Sequence, residues 1–213
     1  MKALNGEGHR TLFLVLLYCG LRPGEALALR WSDLDLDSDE PTLQVNRALQ
    51  LADGNETVFA SPKTKRGRRT LALPASVTGA LLASRKVSME KTLKAGESWR
   101  EESLVFPSQA GTPLSRNNIW RAFLRISKAA ELGRWVPSEA KRGPQLKWQY
   151  GFRLYDLRHT AATLQLAAGV DARTVSENLG HAKVAFTLDT YAHSLPATKR
   201  SAADKMEKLL GHG

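Results

Sequence analysis

The feature that most limits what this chain can become is the run Leu12 to Cys19, apolar throughout except for the hydroxyl of Tyr18 and closed by Gly20. A helix over residues 8 to 19 with so little polar surface has to be buried on most sides, so other elements must wrap around it. It falls far short of the roughly 18 residues a membrane-spanning helix needs, and no longer apolar run exists elsewhere. With 213 residues, 42% of them hydrophobic and 24% charged, the chain has enough material to build that covering. The N-terminus lacks a basic segment followed by an apolar run and a cleavage site, so a cytoplasmic protein is expected. A single cysteine, Cys19, excludes an internal disulfide framework and a Cys-rich zinc site.

Gly20 suits a helix end, and Pro23 suits a first helical turn while turning Arg22 away from helical angles. Arg22 is therefore expected at a corner, followed by a second helix carrying Ala26, Leu27 and Leu29 toward Trp31. Thr42 to Val45 alternates, Asp53-Gly54 signals a turn, Val58-Phe59 resumes, and Thr70 to Leu73 alternates again. These predict a small antiparallel sheet of about three strands. Helical periodicity returns over about 75–95 and 115–132, where Ile119, Phe123 and Ile126 share a stripe. Leu104 to Pro107 reads as a short extended piece between them. Residues 133–151 hold Gly133, Pro137, Gly143, Pro144 and Gly151 with Arg134, Lys141, Arg142 and Lys147, a pattern that reads as a mobile basic loop. Further helices are expected over about 156–168, 171–179, 184–192 and 197–210. The fold class is α+β, mostly helical, in one domain spanning residues 1–213.

Charge narrows the partner. Lys and Arg number 31 against 21 Asp and Glu, a net charge of +10, which favours a polyanion because phosphates neutralised by a protein release their counterions. A solubilising surface would account for the same arithmetic. Four segments carry polar residues that packing explains poorly: Arg22 with Glu25 one turn on; Ser61 to Arg69, with five basic residues in the seven from Lys63; Tyr155-Asp156-Leu157-Arg158-His159-Thr160; and Leu179-Gly180-His181 with Tyr191 ten residues later. Taken singly, each has an ordinary structural reading as a surface arginine, a solvated turn, a helix cap or a half-buried aromatic.

In order and context, Gly20 to Asp35, Pro62-Lys63-Thr64, Asp156 to Thr163, and Leu179-Gly180-His181 through Leu188 to His193 resemble the catalytic domain of tyrosine recombinases, the phage integrase family. The resemblance covers residues 8 to 195. It implies that family's catalytic-domain fold and site-specific DNA cleavage and strand exchange through a 3′ phosphotyrosyl intermediate, with no metal, ATP or other cofactor. The partners it implies are double-stranded DNA and three further copies of the chain in a synaptic tetramer, with residues 197–213 docking in trans. The smaller DNA-clamping domain that precedes the catalytic domain in that family is expected to be missing, because the first catalytic helix starts near Met1.

Carried over residue by residue, Tyr191 matches the nucleophile, and Arg22 and Arg158 match the arginines that clamp the scissile phosphate. Guanidinium suits that task through bidentate donors and a permanent charge. Lys63 matches the general acid toward the leaving 5′ oxygen, with Lys65 in the same turn as a substitute. His181 matches a hydrogen-bond donor to the phosphate. Lys65, Arg66, Arg68 and Arg69 are expected on DNA, and Glu25 and Asp33 are expected to hold the first arginine and its loop. Tyr155 departs from the pattern: the family usually has histidine there to assist proton transfer, and a phenol is a poor base near neutrality. Tyr155 is read as a variant catalytic position. His159 is taken only as a supporting residue, since neighbours on a helix point about 100° apart.

Two other readings explain part of this. A DNA-binding module that has lost catalysis fits Tyr155, and a helix-turn-helix regulator over 156–179 fits the charge but leaves Lys63 and Tyr191 without a task. A metal-dependent nuclease is disfavoured because carboxylates and histidines do not cluster at ligand spacing.

Overall fold

The structure, a computed structural model, describes residues 2–5, 8–51, 57–62, 67–96, 99, 103–140, 143–191, 204, 206–208 and 210–211. The apolar run forms helix α1, Arg10–Cys19, with Leu12, Phe13, Leu14, Val15, Leu16 and Cys19 buried. It ends where Gly20 takes a left-handed φ of 61° and donates its amide to the Leu16 carbonyl at 3.1 Å. A side chain at Gly20 would be strained there and would also lie 2.8 Å from Leu179 Cδ2. Arg22 is extended, as Pro23 requires, and caps α2, Pro23–Leu27. A 3-10 turn, Trp31–Asp33, follows.

Three strands form the main sheet in the order β1, Leu34–Asp35, then β2, Thr42–Val45, then β5, Arg69–Ala72. Leu34 lies opposite Leu43, and Leu43 opposite Leu71, so the apolar side chains stack on the core face. The three-stranded sheet is present, but its membership differs from the sequence expectation. Val58-Phe59 belongs to β4, Thr57–Ala60, which pairs with β3, Ala48–Leu51, in a separate hairpin. The division falls at Asn46-Arg47, where the Asp33 carboxylate accepts from Asn46 Nδ2 at 3.0 Å and from Arg47 Nη1. That pulls the chain off the sheet and sends β3 against α2. The expected Asp53-Gly54 turn lies outside the described residues.

Helices α3, Ala75–Ala95, and α4, Arg116–Ala129, complete the larger core. Ile119 and Phe123 of the predicted stripe are buried, and the Phe123 ring lies 6.2 Å from that of Phe13. Leu104 and Pro107 make isolated bridges to Arg30 and Pro113, as a short extended piece should.

Residues 133–151 overturn the expectation of a loop. They form a long antiparallel hairpin, β6, Gly133–Ala140, and β7, Gly143–Tyr150, in unbroken register from Gly133 opposite Tyr150 to Ala140 opposite Gly143. Its organising contact is cross-strand: Trp135 and Trp148 face each other with rings 5.3 Å apart, edge to face. A two-stranded ribbon has two free edges, so Pro137 costs no ladder bond that a neighbouring strand would need. Gly133 is required because a Cβ there would fall 2.4 Å from the Gln149 carbonyl oxygen.

Helices α5, Asp156–Ala167, α6, Ala172–Leu179, and α7, Val184–Tyr191, surround a second, smaller apolar cluster of Ala162, Leu166, Val175, Leu179 and the ring of Tyr191. Asp171 caps α6 by accepting from the Arg173 and Thr174 amides at 3.1 and 2.9 Å. Of the expected last helix, Asp204, Met206 to Lys208 and Leu210 are helical, and Met206 and Leu210 are exposed.

Candidate active site

Helices α1 and α6 both end in a left-handed glycine, Gly20 and Gly180, and both ends converge on Arg158 of α5. Its guanidinium, in a side chain only 1% exposed, donates through Nη1 to the Gly20 carbonyl at 2.7 Å and through Nη2 to the Leu179 carbonyl. Helix C-termini are partially negative, so they favour a buried cation. Burial, helped by the charges of Arg22 and Arg69, lowers the Arg158 pKa to about 10, and the group remains charged at neutrality.

Around this arginine lies a second layer organised by Glu25. Its buried carboxylate accepts from the Arg22 amide and from Arg22 Nη1, each at 2.9 Å, closing the reach-back across one helical turn that the sequence suggested. It also accepts from Arg69 Nη1 at 3.2 Å and Nη2 at 2.9 Å, while Arg69 Nε donates to the Asn178 carbonyl at 2.6 Å. Burial alone would raise the Glu25 carboxyl, but the hydrogen bonds and charges of Arg69 and Arg22 outweigh it and hold the pKa below the ordinary glutamate value. Arg69, expected on DNA, therefore belongs to the interior, its side chain 6% exposed and tying β5 to α2 and α6. Arg22 keeps 40% of its side chain open to solvent.

His181 follows the α6 cap and is buried beside Phe186, with Nδ1 2.8 Å from the hydroxyl of Thr187, itself fully buried. Burial first, then the charges of Arg158, Arg22 and Arg69, lower its pKa to about 4. It is neutral at pH 7, and its Nδ1 shares a hydrogen bond with the Thr187 hydroxyl that fixes the ring's orientation.

Tyr191 closes α7 with its ring in the small apolar cluster. Burial raises its phenol above the ordinary value, a change partly opposed by Arg158. Its hydroxyl lies 2.7 Å from His159 Nδ1. His159 is thus brought onto the expected nucleophile, against the expectation from helix geometry: α7 approaches α5 from the side His159 faces, while Arg158 turns into the interior. Tyr155, 41% exposed, meets the His159 ring edge to face at 5.2 Å.

The fold therefore gathers Arg22, Glu25, Tyr155, Arg158, His159, His181 and Tyr191 in one region. Asp33 lies apart from Arg22 and holds the Arg30 amide at 2.9 Å with Asn46 and Arg47. Arg68 is exposed on the approach, while Lys63, Lys65 and Arg66 lie outside the described residues. A cleft of about 640 Å³ opens over Arg22, Gln50, Gly180, His181 and Lys183. Sequence reasoning missed Thr187, which carries no local signal, and the part of Gly20 and Leu179 as acceptors for Arg158, for which the glycine after each helix was an available sign. Among the described residues no cluster of His, Cys, Asp and Glu could hold a metal ion, and no helix is long and apolar enough to cross a membrane.

Comparison with known proteins gives this region a family. Residues 2–198 match the model of the phage integrase family. A XerC-like tyrosine recombinase of Caldanaerobacter subterraneus subsp. tengcongensis is 31% identical over 219 residues, covering 98% of this chain and 51% of the relative. The ICEBs1 integrase of Bacillus subtilis is 28% identical over 201 residues, covering 94% of this chain and 49% of its own length. The chain thus spans about half the length of these curated relatives. In fold it is similar to the Tn1549 transposon integrase solved with circular intermediate DNA, with a TM-score of 0.69 at 23% identity over 98% of this chain and 63% of that one. The catalytic domain of the bacteriophage HP1 integrase superposes with a TM-score of 0.54 at 16% identity, covering 95% of this chain and 86% of that domain. The fold, the gathered arginines, histidines and tyrosine, and the match across nearly the whole sequence agree: the chain belongs to the phage integrase family of tyrosine recombinases.

Proposed function

We propose that the chain cleaves and rejoins DNA at specific sites, with Tyr191 as the nucleophile and a 3′ phosphotyrosyl bond as the intermediate. The observation that carries this reading is the Tyr191 hydroxyl on α7 within electrostatic reach of the buried Arg158 guanidinium, which in turn lies near Arg22 and His181. A phosphate passing through a pentacoordinate state gains negative charge, and preorganised guanidinium groups and an N–H oppose it without a metal. The bond energy is kept in the protein–DNA ester, so no ATP is consumed. Lys63 is proposed as the proton donor to the leaving 5′ oxygen, with Lys65, Arg66 and Arg68 along the DNA backbone. Self-association on DNA into a tetramer, with residues 197–213 docking on a neighbouring copy, is supported by the exposure of Met206 and Leu210.

The test is covalent capture on a nicked duplex that loses its short leaving strand. The chain should form an adduct that survives denaturing electrophoresis in excess chelator, and Tyr191→Phe should form none while binding the duplex within a few-fold. An undiminished adduct from Tyr191→Phe, or a reaction that magnesium must restore, overturns the reading. Binding without any adduct from the unaltered chain selects the DNA-binding module instead.

A further inference from the structure

Position 155, where the resemblance leads one to look for a proton acceptor, holds a phenol. One helical turn on, His159 lies with Nδ1 2.7 Å from the Tyr191 hydroxyl. We propose that His159 is the general base of cleavage, taking the Tyr191 proton on Nδ1 and returning it when the strand is rejoined. The proposal rests on Tyr191 being the nucleophile and assigns a catalytic task to a residue that otherwise looks like helix decoration.

The proposed step uses the tautomer with the ring proton on Nε2, in which Nδ1 presents a lone pair to the Tyr191 O–H across the 2.7 Å contact. In the step, the Tyr191 O–H bond breaks and its proton forms the second N–H of His159. The phenolate oxygen bonds to phosphorus, the P–O5′ bond breaks, and the departing oxygen takes a proton from Lys63. In rejoining, the 5′ hydroxyl gives its proton back to Lys63 as its oxygen bonds to phosphorus, the Tyr191 O–P bond breaks, and His159 Nδ1–H reprotonates the phenolate.

The surroundings suit this exchange. On α5, the Asp156 carboxylate lies within electrostatic reach of His159 and is itself paired with Arg153, Nη2 to Oδ1 at 3.0 Å. The Tyr155 ring meets the imidazole edge to face and fixes its plane. From α7 the facing group is Tyr191 itself, and from the turn between α6 and α7 it is His181, whose low pKa keeps a second positive charge from forming nearby. Arg158, next in the chain, is directed away into the interior carbonyls.

The experiment is single-turnover adduct formation on the nicked duplex from about pH 6 to about pH 9, with duplex affinity measured alongside. His159→Asn keeps an acceptor atom near the Nδ1 position but cannot hold a proton. It should react at least about 10²-fold more slowly near neutrality and close the gap as hydroxide rises. Should that variant fail to bind the duplex, His159→Gly carries the test, its rate expected to rise in proportion to added imidazole. An adduct rate and pH profile unchanged in His159→Asn, or a His159→Gly rate indifferent to imidazole, overturns the assignment while Tyr191→Phe remains inactive. If Tyr155→Phe loses the rate and pH dependence that His159→Asn retains, the task passes to Tyr155 and the proposal fails. An adduct formed by Tyr191→Phe instead sinks the underlying reading.

Discussion

At the scale of single residues, Arg158 and Arg22, the two arginines proposed to clamp the phosphate, stand in unequal structural positions. Arg158 joins two helix ends, and the fork of its guanidinium is what allows two carbonyls to be bonded at once. A lysine has a point charge and cannot span them. Arg158→Lys is therefore expected to lose about 1.5–3 kcal/mol of stability, seen as a lowered melting temperature, together with about 10² or more in cleavage rate. Arg22→Lys, at a side chain 40% exposed, should lose a comparable factor in rate while its melting temperature stays near that of the unaltered chain. His181 makes a separate prediction through its protonation. Its folded value of about 4 lies below the ordinary 6.5, so the fold disfavours the imidazolium. Its contribution to stability is complete above about pH 6.5 and is lost as pH falls toward 4, because the unfolded chain binds the proton first. Urea melts across that window should show stability rising with pH, and His181→Asn should flatten the rise.

At the scale of elements, the contact between α2 and β3 sets the corner on which Arg22 and Glu25 stand. A Cβ at Gly24 would lie 2.5 Å from the Leu49 carbonyl oxygen, which Arg116 Nη2 also holds at 3.1 Å. Gly24→Ala should force the two elements apart, at a cost of about 1–3 kcal/mol, and should weaken cleavage through the displaced Arg22. Gly79→Ala is the contrasting case: an exposed position inside α3 with nothing within 4 Å of the added Cβ, it should gain up to about 1 kcal/mol in the same denaturant melts. Those helices were legible in the sequence because their information is local. Gly20, Pro23 and the stripe of Ile119 and Phe123 act within a turn or two of themselves. The β6–β7 hairpin was hidden because its decisive pair, Trp135 with Trp148, is cross-strand, and because Gly133 and Pro137 punctuate a ribbon as readily as a loop. The exchange of β4 for β1 in the main sheet depends on Asp33 gripping Asn46 and Arg47, again across the chain. In the site, Arg22 and Glu25 could be paired from their spacing. His159 could not be joined to Tyr191, since the face from which α7 arrives is written in neither helix, and Arg69 read as a surface arginine because its acceptors, Glu25 and the Asn178 carbonyl, come from distant segments.

At the scale of the molecule, the net charge of +10 should make DNA affinity fall steeply with salt. With Arg69 committed to Glu25, neutralising Arg66 and Arg68 together should flatten the slope of log affinity against log salt by at most about two units. Among the described residues the core is divided unevenly: the large cluster spans residues from Leu4 to Phe123, while the small one holds five buried side chains on α5, α6 and α7, one of them Tyr191. A few interlocked residues resist transient opening less than a broad core does. Amide hydrogens of α7 are thus expected to exchange with deuterium faster than those of α1, through excursions that leave α1 intact. In rising urea, adduct formation should fade before the signals of the larger core change. The attacking oxygen would then be supplied by the part of the molecule that lets go first, and the lifetime of the reactive geometry would be set by that small cluster, whatever the endurance of the rest.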